Sequence, residues 1–261
     1  MCTVVVLNGI RRDFPVVLAT NRDEFFARPS SGAVRLLEQP RTVGGQDLVS
    51  HGSWMGVTEQ GLFVGVTNQR SWHAPDRSKR SRGEVVINAL KLGERHAVAD
   101  MLRTLDAREF NGFNLLWGDA EELLVGYARE DQREIAIEVV PKGIHVLPND
   151  RLDSPDFPKV QRAMALLDPF VRDEFDVLTE ALKRMLADRE RPPLEEVPNP
   201  QAESPLNRDM LRELSALCIR TALYGTRSST IVALSPGKVS RYLYADGPPD
   251  QAQFADVMGL Y

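Results

Sequence analysis

Two short runs near the start of this chain, residues 3–7 (Thr-Val-Val-Val-Leu) and 16–20 (Val-Val-Leu-Ala-Thr), are apolar at almost every position. A strand with one wet face alternates polar and apolar residues. A continuous apolar, β-branched run is a strand covered on both faces. Residues 8–13 between the runs include Gly9 and read as a turn, so the chain opens with two strands that lead back on one another inside a layered structure.

That opening fixes the place of Cys2. A strand beginning at residue 3 puts Cys2 at the mouth of a sheet, where a side chain is held still, and not on a frayed terminus. If Met1 is removed, the Cys2 thiol and a free α-amine share one carbon atom. The thiolate is the reactive form of cysteine, and an α-amine titrates near ~7.7–8.0, which suits a general base. Threonine paired with its own N-terminal amine works in this way. The small side chain at position 2 favours removal of Met1. Taken alone, a cysteine is more often a small buried hydrophobe.

The residues after the second run shift the balance. The strand passes directly into Asn21-Arg22-Asp23-Glu24. Charges at the mouth of a buried strand are costly unless paired or hydrogen-bonded, so the cluster reads as part of a site. If the two runs pair as a hairpin, Cys2 lies opposite residues 21–23. Asp23 could then receive an N-terminal ammonium, and Arg22 could orient a carboxylate or stabilise an oxyanion. The plainer reading is a turn whose Asn and Asp satisfy local backbone. Asn207-Arg208-Asp209 repeats the tripeptide in an acidic stretch, so position carries more weight than the tripeptide itself.

With 261 residues and 43% hydrophobic composition, the chain can bury a sizeable core, and one domain over 1–261 is expected. Two cysteines, Cys2 and Cys218, exclude a disulfide framework and fit a reducing cytoplasm. No run approaches the ~18 apolar residues of a membrane span, and residues 3–7 are too short for a signal-peptide core. A net charge of −5 and the lack of a broad basic face disfavour nucleic acid. The basic run Arg70, Arg77, Lys79, Arg80 and Arg82 could hold a ligand phosphate or carboxylate, though such runs are more often solvated. His51, His73, His96 and His145 lack metal-ligand spacing, so no metal site is expected. No glycine-rich nucleotide motif occurs. No cofactor is required, and the oligomeric state is not legible.

Further elements can be read from pattern. Residues 21–45 read as a loop containing Gly44-Gly45, and 54–58 with 62–67 as a hairpin. Residues 83–91 and 97–105 read as helices, the first with Ser81 and Glu84 spaced as a capping box. Residues 113–117, 123–127, 134–140 and 143–147 read as a four-strand meander. Helices are expected over 159–167 and 176–186, and a last hairpin over 228–234 and 239–244. Residues 191–205, with five prolines, read as an ordered surface loop or a mobile flap. Trp54, Trp72 and Trp117 could wall an apolar site, although Trp54 and Trp117 fall in strands and suit a core. Cys218 reads as a buried structural thiol. Strands and helices come in blocks without strict alternation, which predicts an α+β fold of mainly antiparallel sheets, a four-layer α/β/β/α sandwich.

Met1-Cys2, Asn21-Arg22-Asp23-Glu24-Phe25 and Arg28-Pro29 together resemble the NRDE family, that of the transport and Golgi organisation proteins. Gly52-Ser53-Trp54-Met55-Gly56, Thr67-Asn68, Arg82-Gly83-Glu84, Asn111-Gly112-Phe113-Asn114-Leu115, Asn149 with Ser154-Pro155, and Tyr224-Gly225-Thr226-Arg227-Ser228-Ser229-Thr230 extend the likeness in the family's order. The resemblance implies a fold like the N-terminal nucleophile hydrolases, among them the cysteine-type penicillin acylases and bile salt hydrolases. By that resemblance Cys2 is the nucleophile, Asp23 contacts its amine, Asn68 and Asn149 are candidates for an oxyanion hole, and Arg227 is an orienting cation. Asn21, Arg22, Trp54 and Asn114 complete the implied binding set. The chain departs from the acylases at Thr20, where they carry arginine; Arg22 is the available substitute, on the opposite strand face from its neighbour Asp23. Two activities are implied: hydrolysis or acyl transfer at an amide or thioester of a small acyl substrate, and non-catalytic carriage of haem, a lipid or acyl-coenzyme A.

Overall fold

The computed structural model describes residues 2–202 and 204–261. Its first strands are β1 (Cys2–Asn8) and β2 (Val16–Phe25). They are followed by β3 (Ser30–Glu38), β4 (Arg41–Asp47), β5 (Ser53–Thr58) and β6 (Phe63–Asn68). Helices α1 (Arg82–Leu92) and α2 (Arg95–Thr104) come next. Then come β7 (Phe113–Gly118), β8 (Leu123–Ala128), β9 (Ala136–Val139) and β10 (Gly143–Leu147). Helices α3 (Pro158–Leu167), α4 (Phe175–Leu186) and α5 (Arg208–Glu213) precede β11 (Tyr224–Ser235), β12 (Lys238–Ala245) and the short β13 (Ala255–Asp256).

The strands form two antiparallel sheets, one in the order β10-β1-β2-β11-β12-β13 and one running β3 to β9 in sequence order. Both faces of β1 and β2 are covered, as their composition requires. Val4, Val6, Val16 and Leu18 meet Val57, Phe63, Leu116 and Val125 of the second sheet. On the other face, Val5, Leu7, Val17 and Ala19 meet Val160, Ala163, Leu178 and Leu182 of α3 and α4. Val85, Val86, Leu90, Val98 and Leu102 of α1 and α2 cover the outer face of the second sheet at Val64, Leu115 and Trp117. The result is the four-layer α/β/β/α sandwich. Among the described residues, no helix is long and apolar enough to cross a membrane.

Four local expectations are corrected. The polar cluster is not a loop: β2 continues through Phe25, because β1 and β11 flank it and pair its backbone, with Cys2 opposite Arg22 and Thr226 opposite Asp23. The stretch read as a loop up to Gly45 contains β3 and most of β4. An edge strand with mixed exposure gives no clean alternation, and Gly44-Gly45 serves close approach and not a turn. A Cβ on Gly45 would overlap the Trp54 ring. The four-strand meander holds only for β7 to β9. β10 crosses to the other sheet and pairs with β1, Val4 opposite Leu147. The capping box does not form: the Ser81 side chain makes no cap hydrogen bond, and Glu84 instead pairs with Arg80 at 2.6 Å.

Candidate functional site

Cys2 is the first residue of β1 and is partly exposed. Strand alternation puts it on the face that looks toward the second sheet, with Val4 and Val6. Its direct cross-strand partner is Arg22. The Arg22 guanidinium carbon lies 4.0 Å from the centroid of the Trp54 ring, and its Nη1 donates to Ser30 Oγ at 3.0 Å. Trp54 in turn rests against Gly45. The second sheet thus holds the arginine flat beside Cys2, in a stack of the kind guanidinium groups favour. Thr20 lies on this face too, opposite Val4, one pleat further into the sheet.

Asp23 lies on the opposite, helix-facing side of β2 and is 1% exposed. Its Oδ1 accepts from Thr226 Oγ1 at 2.7 Å, and that hydroxyl accepts from the Ile219 amide at 2.9 Å. The Tyr224 hydroxyl donates to the Asp23 carbonyl at 2.8 Å. Burial pushes the Asp23 carboxyl up, opposed by the positive charge of Lys159 and the bond from Thr226. Burial likewise pushes the Cys2 thiol up, and the nearby Asp23 charge adds to this; Arg22 and the Asp23 backbone amide pull it down.

Asn21 is held on three sides. Its Nδ2 donates to the carbonyls of Leu186 and Leu217, both at 2.9 Å, and its Oδ1 accepts from Ser229 Oγ at 2.5 Å. These bonds tie β2 to the helix layer and leave the amide little capacity for a ligand. Asn114 is similarly engaged: Nδ2 donates to Thr67 Oγ1 at 2.9 Å and to the Asp150 carbonyl at 2.7 Å, and Oδ1 accepts from Gln69 Nε2. It clasps β6 and β7 to the turn after β10.

Asn149 and Asn68 meet at that same junction. Asn149 Nδ2 donates to the Asn68 carbonyl at 2.7 Å, and the Asn149 carbonyl accepts from the Arg70 amide at 2.6 Å. Extending the Val4–Leu147 register by two residues brings Asn149 level with Cys2, on the opposite flank from Arg22. Arg227 occupies the β-bulge of β11 between Thr226 and Ser228, where its Nη1 donates to the Phe26 carbonyl at 2.8 Å on the exposed rim.

Other residues are given no place relative to Cys2 by the sequence. Arg82, the first residue of α1, donates to the Gly112 carbonyl at 3.4 Å. Burial pushes its guanidinium down, while the charges of Glu24 and Cys2 push it up. Its neighbours in the basic run are satisfied on the surface, Lys79 by Glu130 and Arg80 by Glu84 and Glu109. Arg70 stacks over Phe157 and Trp72. Lys159 is 3% exposed in the first turn of α3. A signal for it exists: Lys159, Ala163 and Leu167 share one helix face at spacings of four. The proline-rich segment 191–205 is fastened to α5, with Arg212 Nε donating to the Pro192 carbonyl at 2.8 Å and Arg208 Nε to that of Val197 at 3.0 Å. Cys218 is buried, its thiol pushed up to about 12 by burial and by Asp250. Among the described residues, no group of three His, Cys, Asp or Glu could hold a metal.

The four-layer sandwich that carries Cys2 at the head of β1 is an arrangement found in other solved structures. The structure is similar to a variant of the conjugated bile acid hydrolase of Clostridium perfringens (TM-score 0.53, 11% identity, covering 98% of this chain and 92% of that one). It is also similar to the N-acylethanolamine-hydrolyzing acid amidase orthologue of Caenorhabditis elegans (TM-score 0.55, 12% identity, 91% and 93% covered). These likenesses are of fold. In sequence, the family described as Transport and Golgi organisation 2 matches residues 1–243, and the chain belongs to that family. Among its relatives, the human Transport and Golgi organization protein 2 homolog is 27% identical over 236 residues, covering 84% of this chain and 82% of that protein. The Drosophila melanogaster Transport and Golgi organization protein 2 is 23% identical over 188 residues, 66% and 65% covered.

Proposed function

We propose that this protein is a cysteine-centred hydrolase or acyltransferase acting on the amide or thioester of a small acyl substrate. The observation that supports this best is the arrangement around β1: Cys2 stands partly exposed and opposite Arg22, with Asp23 buried behind the same strand end. In the reaction, the Cys2 thiolate attacks the carbonyl carbon and a C–S bond forms. The amine or thiol leaving group departs with a proton as its bond to carbon breaks. Water, or an acceptor amine, then takes the acyl group and regenerates the thiol. A free α-amine at Cys2 would supply the base; Met1, whose removal this requires, lies outside the described residues. Two of the structural neighbours are named as a conjugated bile acid hydrolase and an N-acylethanolamine-hydrolyzing acid amidase, which is consistent with this reading. Two free thiols suit a reducing compartment such as the cytoplasm.

The upward push on the Cys2 thiol favours a second reading. A thiol held protonated is a poor nucleophile, and on that reading the protein carries haem, a lipid or acyl-coenzyme A without turnover. One experiment separates the two. The purified protein is incubated with p-nitrophenyl acyl esters, acyl amides and acyl-coenzyme A, and its intact mass is recorded. The hydrolase reading expects loss of Met1 and an acyl adduct at Cys2 that is absent in Cys2→Ala. Retained Met1, with no adduct and stoichiometric ligand binding, establishes the carrier.

A further inference from the structure

A cavity of about 250 Å³ opens between the first turn of α3, the segment that follows α4 and the residues that follow α5. Pro158, Pro192, Pro193 and Leu217 make its wall partly apolar. Apart from Ser215 the remainder is charged, and most of those charges are spent on one another. Arg162 Nε donates to Asp188 Oδ2 at 2.7 Å, and its Nη2 meets Glu190 at 2.6 Å. Arg191 pairs with Glu213, and Glu196 is exposed to solvent.

Lys159 is the exception. It lines the cavity and is 3% exposed, yet its side chain makes no hydrogen bond and no ion pair within 4.0 Å among the described residues. Its Nζ is unbonded without being sealed in, as Arg95 Nε and His145 Nε2 are, so it keeps access to a solvent-sized space. Burial pushes its ammonium down, and the charges of Asp23 and Cys2 push it up. The backbone is open at the same place. No side chain caps α3, Pro158 has no N–H, and the Lys159 N–H donates to no protein group among the described residues. A buried ammonium without a partner is costly, and the N-terminal end of a helix is itself positive. One anion meets both needs.

We propose that this cavity binds a small organic monocarboxylate, its carboxylate held by the Lys159 ammonium at the first turn of α3 and its apolar body against Pro192, Pro193 and Leu217. The wall itself selects a single charge. Asp188, Glu190 and Glu196 belong to the same lining, and a phosphate dianion would have to sit among them. A carboxylate brings one negative charge and acceptor oxygens enough for an ammonium and an amide. At about 250 Å³ the space admits a chain of a few carbon atoms and falls short of what drug-sized ligands occupy. Packing alone would be met as well by methionine at position 159. The cavity lies on the helix side of the first sheet, where the Leu217 carbonyl also accepts from Asn21 Nδ2 at 2.9 Å. Turnover at Cys2 plays no part in it, so failure of the hydrolase reading leaves it standing.

Isothermal titration calorimetry of the purified protein with sodium propionate, inorganic phosphate and sodium chloride tests the site. Propionate should bind at one site with a Kd of about 1 mM or tighter, at least about tenfold tighter than phosphate, and chloride should give no saturable heat. Lys159→Met should weaken propionate binding by at least about tenfold, the loss of one charge-assisted hydrogen bond. Ser215→Phe fills the cavity and leaves Lys159 in place; it should weaken binding as much, and it decides the matter where Lys159→Met does not fold. Thermal unfolding verifies that each variant is folded. No saturable binding of propionate by the wild type up to about 50 mM overturns the proposal. Wild-type affinity in either folded variant also overturns it, and tighter binding of phosphate than of propionate overturns the monocarboxylate assignment.

Discussion

Cys2 and Arg22 are direct cross-strand partners, and the arginine is fixed from the other sheet by the face of Trp54. The thiol therefore stands beside a cation that is held in place. Arg22→Gln removes a charge that pulls the Cys2 thiol down, so the thiolate fraction below the thiol's midpoint falls. Alkylation by iodoacetamide at pH 7.5 should slow about 3–10-fold, the effect of a half to one unit of pKa. Arg22→Lys keeps a charge but loses the planar stack and should recover only part of the rate. Peptide mapping by mass spectrometry gives both rates. Equal rates in all three proteins would mean that Arg22 has no hold on the thiol.

Cys218 provides an internal reference. It is 1% exposed and its thiol is pushed up to about 12, so it should stay unmodified while Cys2 reacts. In urea above the unfolding midpoint both cysteines should alkylate at similar rates. Labelling of Cys218 first, under native conditions, would contradict the packing behind β11.

Much of this site is legible in the chain because β1 and β2 announce themselves. Continuous apolar runs fix two buried strands, a short turn fixes their pairing, and pairing alone puts Cys2 beside the Asn21–Asp23 cluster. The extension of β2 through that cluster is hidden, since its polar side chains are stabilised by distant partners such as Thr226, Leu217 and Trp54. Sequence adjacency says nothing of those. β3 and β4 are hidden for another reason: an edge strand of mixed exposure and a glycine pair that accommodates an indole both imitate a loop. Lys159 escapes notice because an isolated lysine at a helix start is ordinarily solvated.

Asn21 and its hydrogen bonds predict a separation of stability from chemistry. Three buried bonds join its amide to Leu186, Leu217 and Ser229. Asn21→Ala should lose about 2–4 kcal/mol in urea unfolding, because two carbonyls are left without donors. Its Cys2 alkylation rate under native conditions should remain within about twofold, since Asn21 lies on the face of β2 away from Cys2. A large change in rate with stability intact would make Asn21 part of the site itself.

Asn68 and Asn149 should part company in the same way. No hydrogen bond of the Asn68 side chain occurs among the described residues, whereas the Asn149 amide donates to the Asn68 carbonyl. If Asn68 donates to an oxyanion at Cys2, Asn68→Ala should slow acylation by about 10²–10³ with an unchanged melting temperature. Asn149→Ala should lower both, because it releases the backbone that carries Asn68. Rapid-quench mass spectrometry of the acyl adduct and thermal unfolding read the two effects independently. An Asn68→Ala protein that acylates at the wild-type rate would remove Asn68 from the site.

The pair at the other end of β10 makes stability depend on pH. His145 Nδ1 lies 2.6 Å from Asp153 Oδ2, and that hydrogen bond pushes the His145 imidazolium above its ordinary 6.5. A histidine raised in the folded state stabilises the protein fully below its unfolded value and loses that contribution as pH rises through the folded one. The wild type should therefore exceed Asp153→Asn in melting temperature by more at pH 5.5 than at pH 9. Asparagine is the appropriate replacement. Asp153 has φ 57°, a left-handed conformation that asparagine tolerates, and an amide oxygen can still accept from the Val146 N–H that now bonds Asp153 Oδ1 at 2.8 Å. The change therefore isolates charge from backbone strain. Melting curves that stay parallel across pH 5.5–9 would show that the pair stabilises by its hydrogen bond alone and that His145 does not titrate against Asp153.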